Sequence, residues 1–479
     1  MLGVMREKKP IGMMVPPLID FFLNCSILIM KYCIQNKGEV TMAKLQNYID
    51  IFAGCGGLSV GLLKAGWHGV FAVEKNSDAF STLKHNLIDS AHFSWPEWLP
   101  IEAHDINELI SKYEDQLKDL RGKVALVAGG PPCQGFSMAG KRNVNDQRNR
   151  LVESYIQFIK LVSPEIIIFE NVRGFTVKFN NKKGSRQYSA YVKDALVEAG
   201  YKVAHKIIDM SHYGIPQNRK RFILVGMKRH DPKRVFEILD SNREAFCKAK
   251  GIACTTSVRD AIGDLEKAHG TVTSPDTKGF LAGKYGQVQT GYQRLMREKT
   301  LDSVGAVDSH RFVNHRPEIL KLHEDLLTNA PKGKRITPDD GAVENLKRRG
   351  VTVLDPKLQA PTITSIPDEL VHYTEPRILT VREHARIQSF PDWYEFKGKY
   401  TSGGKRRKSE VPRYTQVGNA VPPLFAEQIG QAIKEVLKNG PQDYKGEKRE
   451  MLYDGHHLGY LLLFFMKILM AKARSKEIE

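Results

Sequence analysis

The chain has 479 residues, enough for two domains or one large domain with insertions, and its 41% hydrophobic and 26% charged content is that of an ordinary globular protein. Lys and Arg total 72 against 54 Asp and Glu, a net +18, which points to a polyanionic partner unless the excess is only a solvated basic surface. Its 6 cysteines include no paired CxxC motifs, so a structural zinc (or any other metal site) and a disulfide scaffold are not expected, and a reducing compartment fits.

Residues 1–41 read as an N-terminal extension outside the fold, with Met42 the expected natural start. The apolar run 21–30 is shorter than the roughly 20 residues that span a bilayer, and no small-residue cleavage site follows it. From Tyr48 the pattern is strand, glycine turn, helix, repeatedly: strands are expected at 48–52, 70–73, 124–128, 165–169 and 221–226, with helices at 58–65, 78–86 and 151–162. This alternation predicts a doubly wound α/β fold on a mostly parallel sheet. After about residue 231 the periodicity fades into loops with scattered basic residues, then returns at 380–388 and 423–436. The expected organisation is therefore a large catalytic domain over 42–230, a smaller irregular domain over 231–398, a return segment 399–440 completing the large domain, and a tail 441–479. The apolar stretch 460–470 in that tail is too short for a membrane span and reads as a surface helix.

A glycine turn between strand and helix lets a ligand approach the backbone closely. Gly54, Gly56 and Gly57 form such a turn, but not with the Gly-x-Gly-x-x-Gly spacing of a nicotinamide-dinucleotide site. Glu74 closes the next strand, where an acid can reach ribose hydroxyls, and Asp105 could accept from an adenine amino group; either could also be a solvated loop acid. Cys133 follows Pro131-Pro132 in a strand-to-helix loop, where stiff prolines would fix the thiol and a helix N-terminus would favour the thiolate. A buried structural role is the commoner fate of a single cysteine. Glu170 ends the apolar strand 166–169, where a carboxyl group can hold a proton, and Gln217, Arg219 and Arg221 alternate along one extended face.

With these motifs in order, the chain resembles the DNA (cytosine-5) methyltransferases over about residues 47–440. The matching segments are Asp50-Ile51-Phe52-Ala53-Gly54-Cys55-Gly56-Gly57, Pro131-Pro132-Cys133-Gln134, Glu170-Asn171-Val172, Gln217-Asn218-Arg219-Lys220-Arg221, the stretch 382–391 and the stretch 416–423. The resemblance implies a Rossmann-like fold that binds S-adenosyl-L-methionine through Phe52, Ala53, Gly54, Gly56, Gly57, Leu58, Glu74, Asp105, Ile106, Pro131, Asn419 and Ala420. It implies Cys133 as nucleophile, with Glu170, Arg219 and Arg221 as catalytic partners. Gln134, Ser137, Asn171, Val172, Gln217 and Arg382 would contact the substrate. Two departures stand out: Lys75 replaces the aromatic residue that often follows the ribose-binding acid, and the basic loop 405–408 is longer than the family pattern.

Carbon 6 of a stacked cytosine is inaccessible, so the implied mechanism requires the base to be flipped out of the duplex. The smaller domain would read the DNA, with Arg311, His315, Arg316, Lys332, Lys334, Arg335 and the run 347–349 as candidates, each better suited to phosphate or solvent than to a base edge. The expected partner is double-stranded DNA, with a cognate restriction endonuclease encoded nearby; the enzyme is expected to be monomeric and cytoplasmic, associated with the nucleoid of a bacterial cell. A tRNA cytosine-5 methyltransferase and a catalytically silent DNA-binding relative are the competing readings.

Overall fold

The computed structural model describes residues 46–132, 150–176, 188–303, 305–341, 343, 346, 350–403 and 410–438. Cys133, Gln134, Ser137, the run 347–349, the loop 405–408, the extension 1–41 and the tail 441–479 lie outside the described residues.

The first half alternates β1 (Asn47–Ile51), α1 (Gly57–Lys64), β2 (His68–Val73), α2 (Ile106–Lys112), β3 (Leu126–Gly129), α3 (Arg150–Val162), β4 (Ile166–Val172), α4 (Tyr188–Glu198), β5 (Lys202–Asp209) and β6 (Lys220–Met227). These strands make one sheet in the order β2-β1-β3-β4-β6-β5. β2, β1, β3 and β4 run parallel, and β6 is antiparallel to both of its neighbours. The chain leaves β1 towards one side to form β2 and returns on the other side as β3. That reversal opens a crevice beyond the carboxyl ends of β1 and β3.

Alternation along the strands feeds two cores, one on each face of the sheet. Tyr48, Leu126, Ala128, Ile166 and Ile168 join the core that contains α1. Ile49, Ile51, Val127, Ile167 and Phe169 join the core built with α2, α3 and α4. The first four residues of β4, Ile166 to Phe169, read as an apolar run because helices cover the strand on both faces. β5 is an edge strand, and its exposed Lys202, His205 and Lys206 hide the strand pattern in sequence.

The later chain adds two small three-stranded sheets. One pairs β7 (Thr271–Thr273), β8 (Leu281–Lys284) and β9 (Ala306–Arg311); the other pairs β10 (Arg335–Ile336), β11 (Val351–Val353) and β12 (Leu370–Val371). Helices α5 (Val381–Ile387), α6 (Arg413–Asn419) and α7 (Pro423–Lys438) complete the described chain. α7 lies directly on α1: a Cβ on Gly61 would stand 2.3 Å from the Pro423 carbonyl oxygen and 2.4 Å from the Ala426 Cβ. Trp67 Nε1 donates to the Gly430 carbonyl at 3.0 Å, further along the same contact. Helix Lys233–Ser241 also packs on α7, with Val235 and Leu239 in the same core, so packing is continuous across residue 231, where the sequence places a boundary. Among the described residues no helix is long and apolar enough to cross a membrane.

Candidate active site

The sheet register sets the site. Val73, Ile51, Gly129 and Phe169 form one row across β2, β1, β3 and β4. The residues one step beyond are Glu74, Phe52, Gly130 and Glu170, so the sequence-expected groups emerge side by side at the crevice. Glu170 lies within β4 rather than past its end, because pairing with β6 extends β4 to Val172, opposite Arg221.

The turn after β1 needs its glycines for two reasons. Gly54 and Gly56 have φ of +56° and +87°, a region L side chains avoid. Among the described residues a Cβ on Gly54 would meet nothing within 4 Å, whereas one on Gly57 would stand 2.3 Å from the Val421 carbonyl oxygen. Phe52, at φ +60°, is a non-glycine residue in the left-handed region, a strain of about 1–3 kcal/mol that tends to occur at ligand sites. Ala53 and Leu58 are buried in the core that contains α1, so any contact they make with a ligand is through the backbone. The turn is braced by Tyr394, whose hydroxyl donates to the Cys55 carbonyl, and by the Cys55 thiol, 3.4 Å from the Gln416 carbonyl. Burial pushes the Cys55 thiol pKa far up, so it is no competitor for a nucleophile's role.

Glu74 accepts from the Gly54 N–H at 2.9 Å through Oε2 and from the Asn76 N–H at 2.8 Å through Oε1. Burial raises its pKa against the pull of those amides. Each oxygen keeps a lone pair for a further donor, as a ribose diol would supply. Asp105 caps α2 by accepting from the Asn107 N–H at 2.8 Å, and it also accepts from Lys75 Nζ at 2.8 Å. Burial alone would raise the Asp105 pKa, but the Lys75 bond and the helix amides outweigh it and hold the group below its usual value. Ile106 opens α2 and is itself buried.

Asp50 opens the first matching segment, but the motif alone assigns it no role; it is a carboxyl group 1% exposed beneath the glycine turn. Ser59 Oγ donates to its Oδ2 at 2.6 Å. Burial lifts its pKa to about 7, the Ser59 bond opposes this, and the Glu74 charge adds to it. An acid inside an apolar strand was the available signal.

On the other side of the crevice, Asn171 Nδ2 donates to the Pro131 carbonyl at 3.2 Å and its Oδ1 accepts from the Val172 N–H at 2.8 Å, so buried Asn171 anchors the loop that leads to Cys133. A Cβ on Gly130 would stand 2.9 Å from Glu170 Oε2, so the loop and the carboxylate are in contact. Arg221 Nε sits 3.0 Å from Glu170 Oε1. This pair is the diagonal contact that the antiparallel register produces: Arg221 faces Val172, two residues beyond Glu170 on the same side of the sheet. Glu170 thus meets a guanidinium rather than wholly apolar surroundings.

Arg219 and Gln217 do not share that position. Arg219 is 1% exposed and donates to the carbonyls of Ile363 at 3.2 Å, Gly418 at 3.2 Å and Ala420 at 3.0 Å. Gln217, expected at the substrate, is fully buried; it donates to the Ile387 carbonyl at 3.1 Å and to Gln388 Oε1, and accepts from the Ile363 N–H at 3.1 Å. Gln388 in turn donates to Ala420 at 2.6 Å, so these polar groups lace the start of β6 to the turn that carries exposed Asn419. Arg382, expected at the DNA, is also enclosed: it donates to the Asp308 carbonyl at 2.9 Å, Asp308 Oδ2 at 2.8 Å, the Pro391 carbonyl at 3.1 Å and the Tyr394 carbonyl at 2.7 Å. Its planar set of donors matches an interior lined with carbonyls and leaves nothing for a phosphate. Arg311, a candidate DNA contact, is clamped between the rings of Phe280 and Tyr400, 4.0 Å from each centroid.

These features agree with the comparisons to known proteins. Residues 46–435 match the family model for C-5 cytosine-specific DNA methylases. The Type II methyltransferase M.XorII of Xanthomonas oryzae pv. oryzae is 31% identical over 412 residues, covering 82% of this chain and 86% of that protein. M.DdeI of Desulfomicrobium norvegicum, also named a Type II methyltransferase, is 31% identical over 422 residues, covering 82% and 89%. A solved prophage-encoded protein of E. coli shares the fold at a TM-score of 0.54 and 22% identity, over 82% of this chain and 99% of that one. A glycine turn and a proline-braced loop facing each other across one crevice, in a sequence matched from β1 to α7, place the chain in the C-5 cytosine-specific DNA methylase family.

Proposed function

We propose that Cys133 is the nucleophile of this cytosine-5 methyl transfer and that S-adenosylmethionine is the methyl donor. The observation that carries the reading is the row Glu74, Phe52, Gly130, Glu170 at the ends of four adjacent strands. It puts a ribose-binding acid and a glycine turn beside the loop leading to Cys133. S-adenosylmethionine, when bound, supplies an electrophilic methyl group. Gly54, Glu74 and Asp105 would hold its nucleoside, with Phe52, Ala53, Gly56, Gly57, Leu58, Ile106, Pro131, Asn419 and Ala420 completing the pocket.

Cytosine carbon 5 is a weak nucleophile until a thiolate adds at carbon 6 and makes it enamine-like. Cys133 performs that addition. Glu170 accepts from the exocyclic amino group and, carrying a proton, donates it to ring nitrogen 3 as the thiolate adds, while the Arg221 guanidinium keeps Glu170 in place beside the base. Arg219 acts more remotely, by fixing the turn that carries Asn419 and Ala420. Asn171 fixes the nucleophile loop, and Gln134, Ser137 and Val172 line the base. Carbon 5, once it carries the methyl group, gives up its proton to water, and the electron pair left behind re-forms the 5,6 double bond and expels the thiolate.

The substrate is duplex DNA with its cytosine flipped out, at a cost of a few kcal/mol that contacts to the phosphates offset. Residues 231–398 read the target as a smaller domain, and 399–440 close the large one. The chain acts as a monomer in the bacterial cytoplasm, at the nucleoid. It protects DNA in a restriction–modification system with a cognate endonuclease, the setting that the names of its Type II relatives suggest. Incubation with methyl-labelled S-adenosylmethionine and either genomic duplex DNA or tRNA tests the substrate. Label in DNA, recovered as 5-methylcytosine, is expected; label in tRNA alone would contradict the reading.

A further inference from the structure

Lys75 stands where the family often has an aromatic residue, and its ammonium donates to Asp105 Oδ2 at 2.8 Å. The opposite oxygen, Oδ1, accepts from the Asn107 N–H at 2.8 Å. The Asp105 carboxylate is therefore gripped from two sides, by a lysine side chain that is 78% exposed and by the first turn of α2, while the Asp105 side chain is only 16% exposed. The two segments are also joined through the backbone, because the His104 N–H donates to the Glu74 carbonyl at 2.9 Å.

We propose that Lys75 is a positioning residue that sets the selectivity of the cofactor site for a 6-aminopurine. The inference rests on the reading of the crevice as an S-adenosylmethionine site. A carboxylate offers about four lone-pair sites, so with Lys75 and the Asn107 and Glu108 amides on three of them it still accepts from an exocyclic amino group. It repels a 6-oxopurine, whose oxygen is itself an acceptor. Without Lys75 the carboxylate is held by the α2 amides alone and its second oxygen can turn to water, which weakens that discrimination. The lysine stem also gives some apolar cover at the place where the family uses a ring.

Calorimetry without DNA tests this, using S-adenosylhomocysteine and its 6-oxo counterpart, S-inosylhomocysteine, on the wild-type protein, Lys75→Met and Lys75→Arg. Methionine keeps the stem and removes the charge. Lys75→Met is expected to weaken the adenosyl ligand about two- to fivefold, the range of an exposed ion pair, and to change the inosyl ligand less. Lys75→Arg should restore the preference, and thermal melting of both variants should match wild type. Equal weakening of both ligands, or no change in either, overturns the proposal. Failure of the underlying reading looks different: wild type would not bind S-adenosylhomocysteine, or Glu74→Gln would bind it as tightly as wild type.

Discussion

Arg219 and Arg221 leave one short segment two residues apart, and their surroundings give them different work. Arg221 faces Glu170 at the crevice, with its pKa lowered by burial and supported by the carboxylate. Arg219 is spent on three carbonyls. Arg219→Met should therefore lower stability by about 3 kcal/mol or more, since each orphaned buried acceptor costs about 1–3 kcal/mol, and urea denaturation would show it. Arg221→Met also breaks a largely buried ion pair, but its donor set at the crevice is smaller, so it should cost less stability than Arg219→Met while losing about a hundredfold or more in single-turnover methyl transfer, the scale for removing one active-site donor. Equal loss of stability in both variants would mean that the two arginines are not divided in this way. The segment reads in sequence as one alternating face; only the antiparallel register of β6 separates the pair. The burial of Asp50 had one local signal, its place inside an apolar strand, but its partner Ser59 comes from the helix that the fold packs beneath the turn. Its folded pKa of about 7 lies above the unfolded value of roughly 4, so the folded chain keeps a proton that the unfolded chain gives up. That contribution to stability is lost as pH rises from about 4 to about 7 and is level above. Asp50→Asn keeps an acceptor for Ser59 and removes the loss. Relative to wild type it should gain on the order of a few kcal/mol across that window in denaturation run at several pH values; a difference independent of pH would contradict this.

At the scale of elements, the glycine turn works because α7 and its approach lie on it. Gly57 and Gly61 admit no Cβ against residues 421–426, so two segments far apart in sequence share one tight seam. Gly61→Ala should cost about 1–3 kcal/mol by overpacking, read as a lower melting temperature, and a variant as stable as wild type would show that the seam can relax. The parallel strands and their glycine turn were legible because apolar runs and φ-positive turns are local signals. β5 and α4 were not, because an edge strand with charged residues on its open side loses its alternation. The stretch 382–391 was legible as a motif but not in its role. Arg382 was expected at the DNA, yet it is enclosed, and its neighbour Arg386 meets Asp264 at 3.0 Å and Asp392 at 2.6 Å inside the protein. Those partners come from elsewhere in the chain, and only the fold brings them in.

For the whole molecule, a doubly wound sheet with a crevice at its switch point carries a net charge of +18. The charge fits a polyanionic partner but equally a solvated basic surface; the family establishes the reaction. The central claim is that Cys133 adds to cytosine. Mass spectrometry of the protein after reaction with S-adenosylmethionine and a long duplex carrying 5-fluorocytosine in place of cytosine tests it most directly, because fluorine at carbon 5 blocks the elimination that would release the enzyme. The account predicts a methylated fluorocytosine adduct on a peptide containing Cys133, and none with Cys133→Ser, which should still bind S-adenosylhomocysteine. An adduct on another residue, or methylation of ordinary DNA by Cys133→Ser at the wild-type rate, would contradict it.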